Sequence, residues 1–337
     1  MKKNIKIITL YNSLNFGAYL QAFALQTFFE NNNYNPSFYE VNDGIGIELV
    51  KHIIGKDIRK TPLNYIQYKK YKKCWKFLNI DNSGIETAQA CVIGSDEIWN
   101  VKNSSFYHAP EYFGLNINNK NIISYAPSAN ITTSYNLREF DSNLNFEKFS
   151  SISVRDKKTL NLVKSMSSKD VTLVIDPTML IDDYSKYETN IEIKDKYILV
   201  YGYIFNKDEI ELIKQLSKKT GYRLYSIGMP QMWCHKQITA TPFEFLSYIK
   251  NAEMIVTETF HGTIFSILYN KNFAAFVNHK SKLEDLLERF DLKTRDVSEN
   301  KNLVSVLEEK IDYKKVNGIL KVEREKSKDW LINAVEK

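Results

Sequence analysis

The chain has 337 residues, of which 43% are hydrophobic and 13% aromatic, so it is long enough to bury two cores, and we expect two domains. Its apolar runs are strand-sized and shorter than the ~20 residues that cross a bilayer, and no secretory leader follows Met1, so we expect a cytoplasmic protein with at most peripheral contact at the inner face of the membrane. The net charge of +6 comes without a nucleic-acid-binding motif, which favours weak steering of anionic substrates or contact with lipid headgroups over nucleic-acid binding.

The first half of the chain predicts a series of parallel strands. Ile5–Tyr11, Gly17–Phe29 and Pro36–Val41 predict a strand, a helix and a strand, which form a βαβ unit. Residues from about Gly44 to Asn82 are rich in Lys and Tyr and predict a helical or irregular excursion. Further strands, with functional loops at their carboxyl ends, are predicted at Ala90–Ile93, Ile122–Ala126, Ser151–Val154 and Leu173–Ile175.

The second half repeats this alternation after a charged stretch at Asp182–Lys196. Its predicted strands are Tyr197–Tyr203, Arg223–Ile227, Met254–Thr257 and Ala274–Val277. Its predicted helices are Lys207–Lys219, Pro242–Asn251, Gly262–Tyr269 and Lys282–Phe290. We therefore predict an α/β protein with two doubly wound domains facing a cleft, over residues 1–188 and 189–312, and a C-terminal helical segment over residues 313–337.

Several kinds of chemistry lack their sequence signatures. The three cysteines, Cys74, Cys91 and Cys234, lie far apart, which suggests neither a disulfide framework nor a zinc site. The chain has no glycine-rich dinucleotide or Walker loop, no His-Glu-x-x-His and no Gly-x-Ser-x-Gly. We expect no metal and no bound cofactor.

Two loops in the first half carry candidate sugar-binding residues. The first runs from Asn12 to Gln21, where Gly17 allows a tight turn and the following helix start can hold an anion or a hydroxyl; an ordinary capped loop is the alternative. The second presents Asp96 and Trp99, a carboxylate and an indole that suit a sugar ring. Taken alone, helix capping with Trp99 packed inward explains that loop more simply.

Two further loops carry candidate anion-binding residues. Arg155 stands at the carboxyl end of a strand, where it can bind a carboxylate or phosphate or pair with Asp156. His261 follows a short strand and precedes a helix start whose dipole favours a phosphate. Histidine suits proton transfer near neutral pH, and Glu258 could fix its tautomer, although a lone loop histidine is more often structural.

Six motifs, taken together and in this order, resemble the polysaccharide pyruvyl transferase family, over about residues 6 to 296. They are Asn15–Leu25, Ile93–Asn100, Ser124–Ser128, Ser153–Arg155, Asp176–Thr178 and Thr259–Ser266. The resemblance implies two Rossmann-like domains similar to those of GT-B glycosyltransferases, with the first domain on the acceptor side and the second on the donor side. It also implies phosphoenolpyruvate as the donor and a pyruvate ketal on a sugar of a surface or capsular polysaccharide precursor as the product, with phosphate released.

The resemblance carries roles over to individual residues. His261 matches the family's catalytic histidine, Arg155 its arginine that holds the donor, and Asp96 its acidic residue; Glu258 completes the catalytic candidates. The donor-binding candidates are Arg155, Thr259, Gly262, Thr263 and Lys282. The acceptor-binding candidates are Asn15, Gly17, Tyr19, Gln21, Asp96 and Trp99.

The sequence departs from the family pattern at five of these or neighbouring positions. Glu97 stands where Gln is usual, Glu258 and Thr259 where Asp and Ser are frequent, Asn130 where Gly often occurs, and Lys282 where Arg often begins a helix. A lysine cannot reproduce a bidentate guanidinium fork, so the second donor-binding cation stays open.

Two other functions stay open beside the transferase. A glycosyltransferase that uses a nucleotide sugar would fit the same architecture, and so would a non-catalytic sugar-binding relative. The acceptor could be linked to a lipid, a nucleotide or a polymer.

Overall fold

Two parallel β-sheets form the framework of the protein. The computed structural model describes residues 2–42, 44, 50, 53–54, 57–104, 107–298 and 302–337. The first sheet has the order β2-β1-β3-β4-β5-β6, with every neighbouring pair parallel. Its strands are β1 (Lys3–Ile8), β2 (Tyr34–Phe38), β3 (Ala90–Ile93), β4 (Ile122–Ser124), β5 (Ser151–Val154) and β6 (Val171–Leu173).

The second sheet has the order β11-β10-β7-β8-β9 and is also parallel throughout. Its strands are β7 (Tyr197–Tyr201), β8 (Arg223–Ile227), β9 (Lys236–Ile238), β10 (Met254–Thr257) and β11 (Phe273–Ala275). In both sheets the chain reverses its direction of winding, between β1 and β3 in the first and between β7 and β10 in the second. Ligands of open α/β sheets bind outside the carboxyl ends of the strands at such reversal points.

Helices connect the strands and cover the sheets. In the first half these are α1 (Phe16–Asn31), α2 (Thr61–Trp75), α3 (Ser134–Phe140) and α4 (Lys157–Lys164). In the second half they are α5 (Lys207–Thr220), α6 (Pro242–Asn251), α7 (Phe260–Leu268), α8 (Ser281–Arg289), α9 (Leu303–Glu308) and α10 (Tyr313–Val335). None of the helices in the described part of the chain is both long and apolar enough to cross a membrane.

Helix α1 is the central helix of the molecule. Every residue from Phe16 to Phe29 is buried, because one side packs on the first sheet and the other meets the helices of the second domain. The ring of Phe16 stacks on that of Phe245 in α6, with centroids 4.4 Å apart. A helix that is apolar on all sides is expected in such an enclosed position.

Helix α10 returns from the second domain to the first. Its Ser327 hydroxyl accepts a hydrogen bond from the Ile175 amide at 3.0 Å. Near its end, the carbonyl of Val335 accepts from the Gln89 side chain at 3.0 Å. The two domains are therefore joined twice, once by the chain between the sheets and once by this helix.

The prediction of two doubly wound domains is confirmed. The βαβ unit, β3, β5, β8, α6 and β10 lie where the sequence placed them, most of them to the residue. Strand β9 and helix α3 are additional elements. Part of the predicted excursion from Gly44 to Asn82 falls outside the described residues; the described part contains α2.

Candidate active site at the domain cleft

The site forms where α1 of the first domain and α7 of the second point their N-termini at each other. Asn15 caps α1 by accepting from the amides of Gly17 and Ala18. Thr259 caps α7 by accepting from the amide of Gly262 at 2.9 Å. The positive ends of both helix dipoles therefore meet at the cleft, where they favour an anion.

His261 lies in the first turn of α7, directly against Gly17. A Cβ atom at Gly17 would stand 1.9 Å from His261 Nδ1, so only glycine allows the imidazole to lie on α1. His261 is 6% exposed, and its Nε2 atom has no hydrogen-bond partner among the described residues. A buried and unsatisfied ring nitrogen at a cleft is suited to bind or protonate a substrate.

Asp176 is the carboxylate beside this imidazole. Its Oδ2 atom lies 3.5 Å from His261 Nε2, within ion-pair range but long for a hydrogen bond. Burial alone would raise the pKa of Asp176, but the charges of His261 and Arg155 and the hydroxyl of Thr178 outweigh it and hold that pKa well below its usual range. Asp176 is therefore ionised at neutral pH and can pair with an imidazolium.

Arg155 links Asp176 to Asp96. Its guanidinium donates to Asp176 Oδ2 at 2.7 Å and to Asp96 Oδ1 at 3.2 Å. The guanidinium also lies over the ring of Phe260, with Cζ 4.5 Å from the ring centroid. Burial opposes the charge of Arg155, but the surrounding carboxylates more than compensate and raise its pKa. Its Asp156 neighbour instead caps α4 by accepting from the Thr159 amide.

Glu258 forms no hydrogen bond or ion pair with His261, which corrects the expectation that it orients the imidazole. Its Oε1 atom accepts from the amides of Tyr203 and Ile204 after β7, and its other oxygen pairs with Lys280. Glu258 therefore fixes the β7 loop, because a carboxylate that accepts two amide hydrogens holds that backbone in place. Asp176 takes the position beside the imidazole that the sequence assigned to Glu258.

Lys282 joins the two domains across the cleft. Its ammonium pairs with Glu97 of the first domain and lies 5.8 Å from the centroid of the Phe260 ring. Burial alone would raise the pKa of Glu97, but the charge of Lys282 prevails and lowers it to about 2. The predicted donor-binding cation is thus at the cleft but neutralised by a carboxylate.

The remaining donor-binding candidates hold the start of α7. The Thr259 hydroxyl accepts from the Gly262 amide, and the Thr263 hydroxyl and amide both donate to the Thr259 carbonyl. A Cβ atom at Gly262 would stand 2.2 Å from Thr257 Oγ1, so glycine is needed for close packing. Gly262 and Thr263 therefore position His261, and the amide of each is already hydrogen-bonded within the protein.

Of the acceptor-binding candidates, the structure brings Asn15, Gly17 and Asp96 to the cleft. Asn15 donates from Nδ2 to the Tyr203 hydroxyl of the second domain at 2.7 Å. Tyr203 thus adds a hydroxyl that the sequence analysis did not single out.

The other three candidates are turned into the protein. Tyr19 donates to the Cys74 carbonyl at 2.8 Å, and Gln21 donates to Leu10 and Ala18, which ties α1 to the loop after β1. Trp99 is fully buried, with its indole N–H bonded to the Tyr112 carbonyl at 2.7 Å. The simpler interpretation of the Trp99 loop, an inward-packed indole, is the one that the structure supports.

A cavity of about 360 Å³ opens beside these residues. Arg155, Asp176, Phe260 and Lys282 line its cleft side. Arg289 from α8 and Lys326 from α10 also line it, together with Glu323, which pairs with Arg289, so both domains and the C-terminal helix contribute to the cavity. The cavity is lined by side chains of both charges, and it reaches Asp176, the carboxylate beside His261.

Three functional neighbours escaped the sequence analysis. Asp176 belongs to the Asp-Pro-Thr motif at the end of a predicted strand. The local sequence does not indicate that this carboxylate lies beside His261, which is distant in the chain. Phe260 gave no signal of its own because its partner Arg155 lies in the facing domain, and Lys280 gave none because it pairs with a carboxylate 22 positions earlier in the chain. In the described part of the chain, no cluster of His, Cys, Asp and Glu could hold a metal ion.

The fold is similar to that of a solved epimerase and a solved glycotransferase. A UDP-N-acetylglucosamine 2-epimerase from Rickettsia bellii superposes with a TM-score of 0.51 at 9% identity, covering 100% of this chain and 97% of that one. The glycotransferase of kitacinnamycin superposes with a TM-score of 0.50 at 8% identity, covering 99% of both chains. At such identity the likeness concerns the fold, and it confirms the GT-B-like prediction.

The sequence itself identifies the family. No curated protein has a matching sequence. The family model of polysaccharide pyruvyl transferase matches residues 15–280, a range that includes the cap of α1, Arg155, Asp176 and His261. This match confirms the resemblance inferred from the six motifs, and the chain belongs to the polysaccharide pyruvyl transferase family.

Proposed function

We propose that the protein transfers the enolpyruvyl group of phosphoenolpyruvate to a sugar of a surface or capsular polysaccharide precursor and closes it into a pyruvate ketal. The observation that carries the proposal is His261, a buried imidazole between two helix N-termini, whose Nε2 atom makes no hydrogen bond to a described residue and lies 3.5 Å from the Asp176 carboxylate. Such a group can deliver a proton to a bound anion. Membership of the family supports a pyruvylation reaction.

The donor's charges match the cations around this imidazole. A carboxylate and a phosphate on one small molecule need cationic partners, and Arg155, Lys280 and Lys282 lie at the cleft. Each of them is paired with a carboxylate of the protein, so we expect donor binding to draw Lys282 away from Glu97. Arg155 stays held by Asp176 and Asp96, which fixes the plane of its guanidinium.

One general acid is sufficient for the proposed reaction. The His261 imidazolium, paired with Asp176, gives its proton to the methylene carbon, which becomes a methyl group while a sugar hydroxyl oxygen bonds to the adjacent carbon. Phosphate leaves that carbon with the electrons of its C–O bond, and a second hydroxyl of the sugar bonds there to close the ketal. Of the two protons lost by the hydroxyls, one restores the imidazolium and the other leaves with phosphate. This scheme requires neither a metal nor a cofactor.

The decisive experiment measures phosphate release from phosphoenolpyruvate and a panel of lipid-linked, nucleotide-linked and polymeric sugars, with mass spectrometry of the products. We expect His261→Gln to lower the rate by about 10²–10⁴-fold, the usual contribution of a positioned acid. His235→Gln is the matched control, because His235 is exposed and lies away from the cleft, on the loop leading into β9. A His261 variant that releases phosphate at the wild-type rate contradicts the role of His261.

Protection against thermal unfolding separates the proposal from its two alternatives. A ligand that binds the folded protein raises the melting temperature, so phosphoenolpyruvate should protect and nucleotide sugars should not. The opposite result would indicate a glycosyltransferase that uses a nucleotide sugar. Protection by sugars with no phosphate released under any condition would indicate a non-catalytic binding protein.

A further inference from the structure

The positive charge of the chain is concentrated around one helix. The 23 residues from Ile58 to Ile80 include seven Lys and Arg and no Asp or Glu. The rest of the chain therefore holds 39 Lys and Arg against all 40 acidic residues. The whole net charge of +6 thus originates in this segment, which contains α2.

Helix α2 has one face in the protein and one face outward. The side chain of Gln67 bonds to both the amide and the carbonyl of Ala240 in the second domain, at 3.0 and 2.6 Å. Tyr71 stacks on Phe16 at the start of α1, with ring centroids 5.3 Å apart. The inner face therefore holds α2 against both domains. Its Tyr71 contacts Phe16, the residue that precedes Gly17.

The outer face of α2 combines apolar and cationic side chains. Its exposed apolar side chains are Tyr65, Ile66 and, just after the helix, Phe77. Its exposed lysines are Lys69, Lys72, Lys73 and Lys76. We call these seven residues the outer face; they recur at intervals of three and four, so they lie on one side of the helix.

None of the carboxylates in the described part of the chain forms an ion pair with a lysine of the outer face. Lys70, which points to the second domain, pairs with Glu244 and marks the boundary of the face. Lys69 and Lys76 instead lie over rings of the same face, with their ammonium groups 5.0 Å from the centroid of Tyr65 and 5.2 Å from that of Phe77. The aliphatic parts of these lysine side chains can therefore cover apolar surface while their ammonium groups stay exposed to polar surroundings.

We propose that the outer face of α2 docks the protein on a bilayer that contains anionic phospholipid. The exposed apolar side chains enter the interface, and the lysines contact lipid phosphates. Charge complementarity selects this partner: four unneutralised lysines attract an anionic surface, and exposed aromatic and aliphatic side chains between them suit the apolar boundary below the headgroups. This docking does not depend on the proposed reaction.

Binding to vesicles tests the proposal with the full-length protein. We expect co-sedimentation with vesicles of phosphatidylcholine and phosphatidylglycerol, weakening as salt rises, and little with phosphatidylcholine alone. Changing Lys69, Lys72, Lys73 and Lys76 to Gln should lower the partition coefficient at least tenfold. A matched control changes Lys207, Lys214, Lys218 and Lys321 to Gln, which are exposed on α5 and α10, and it should bind like the wild type. Equal binding by both variants overturns the proposal.

A second measurement leaves all the lysines in place. The three native cysteines are buried, so Ile66→Cys can be labelled selectively with an environment-sensitive fluorophore. Its emission should shift to the blue with anionic vesicles, whereas the label on Val322→Cys, another exposed apolar position in a helix, should not respond. An unchanged Ile66→Cys spectrum contradicts the proposal.

Binding experiments can also distinguish the bilayer from two other partners of the outer face. Binding of single-stranded RNA at physiological salt, without vesicle binding, would assign the outer face to a nucleic acid and overturn the proposal. A dimer in sedimentation that dissociates when the four lysines are changed would assign the face to a second copy of the chain, with the same consequence.

Discussion

At the scale of single residues, the contact between Gly17 and His261 decides the geometry of the site. The glycine lies in the first turn of α1 and the histidine in the first turn of α7. Their contact therefore joins the two domains and brings the N-termini of the two helices together. A Gly-Ala-Tyr sequence after a capping asparagine looks like an ordinary helix start. The reason for the glycine becomes visible only when the second domain is in place.

Gly17→Ala should abolish most of the activity without unfolding the protein. Alanine usually favours a helix over glycine by about 0.5–1 kcal/mol, but here its Cβ atom would overlap the imidazole and displace it. Because a displacement of about 1 Å can cost about 10²-fold in rate, we expect at least that loss in phosphate release.

Gly318→Ala is the control for this change. Gly318 lies in α10, and a Cβ atom there would meet nothing within 4 Å. This variant should therefore be more stable by about 0.5–1 kcal/mol in denaturant unfolding and equally active. Wild-type activity in Gly17→Ala would show that the contact does not position His261.

At the scale of elements, a change in the N-cap of α7 should affect both the stability of the protein and the rate of its reaction. Thr259→Ala removes the hydroxyl that accepts from the Gly262 amide, and loss of such a cap costs about 1 kcal/mol. Because His261 lies between the cap and Gly262, we expect the rate of phosphate release to fall as well, by about tenfold or more.

Thr133→Ala provides the comparison for the α7 cap. Thr133 caps α3 with the same geometry, accepting from the Asn136 amide, but α3 lies away from the cleft. Both variants should lose about 1 kcal/mol in denaturant unfolding. If their activities are also equal, the cap of α7 has no part in placing the histidine.

The elements themselves were largely predictable from the sequence, whereas their contacts were not. Buried parallel strands are rich in apolar residues, and β3, β5, β8 and β10 were predicted to the residue. The pairing of His261 with Asp176 joins residues 85 positions apart in different domains, and no local pattern encodes it. Trp99 is a second example. An indole after a strand can line a sugar site or pack in a core, and only its burial in the structure shows that it packs in the core.

At the scale of the whole molecule, three departures from the family pattern meet at one carboxylate. Glu97, which replaces the usual Gln, accepts from the side chain of Asn130 at 3.1 Å and pairs with Lys282 of the second domain. Asn130 replaces a frequent Gly and has a positive φ of 46°, a conformation that asparagine tolerates better than most residues. The three departures are therefore in contact through Glu97, and in this chain they include an ion pair across the cleft.

This ion pair should make the association of the domains dependent on pH. Folding lowers the pKa of Glu97 from 4.5 to about 2, so its contribution to stability is complete above about pH 4.5 and disappears as the pH falls towards 2. Glu97→Gln should therefore unfold at lower denaturant concentration than the wild type at pH 7, by about 1–3 kcal/mol, and the difference should shrink at pH 3.

A double-mutant cycle isolates the pair from other effects of these substitutions. Glu97→Gln leaves an unpaired ammonium in the cleft, and Lys282→Met leaves an unpaired carboxylate, whereas the double variant leaves neither. We expect the double variant to lose about 1–3 kcal/mol less than the sum of the single losses, as partly buried pairs do. Additive losses, together with a Glu97→Gln difference that stays constant between pH 7 and pH 3, would mean that the pair of Glu97 and Lys282 does not contribute to the association of the domains.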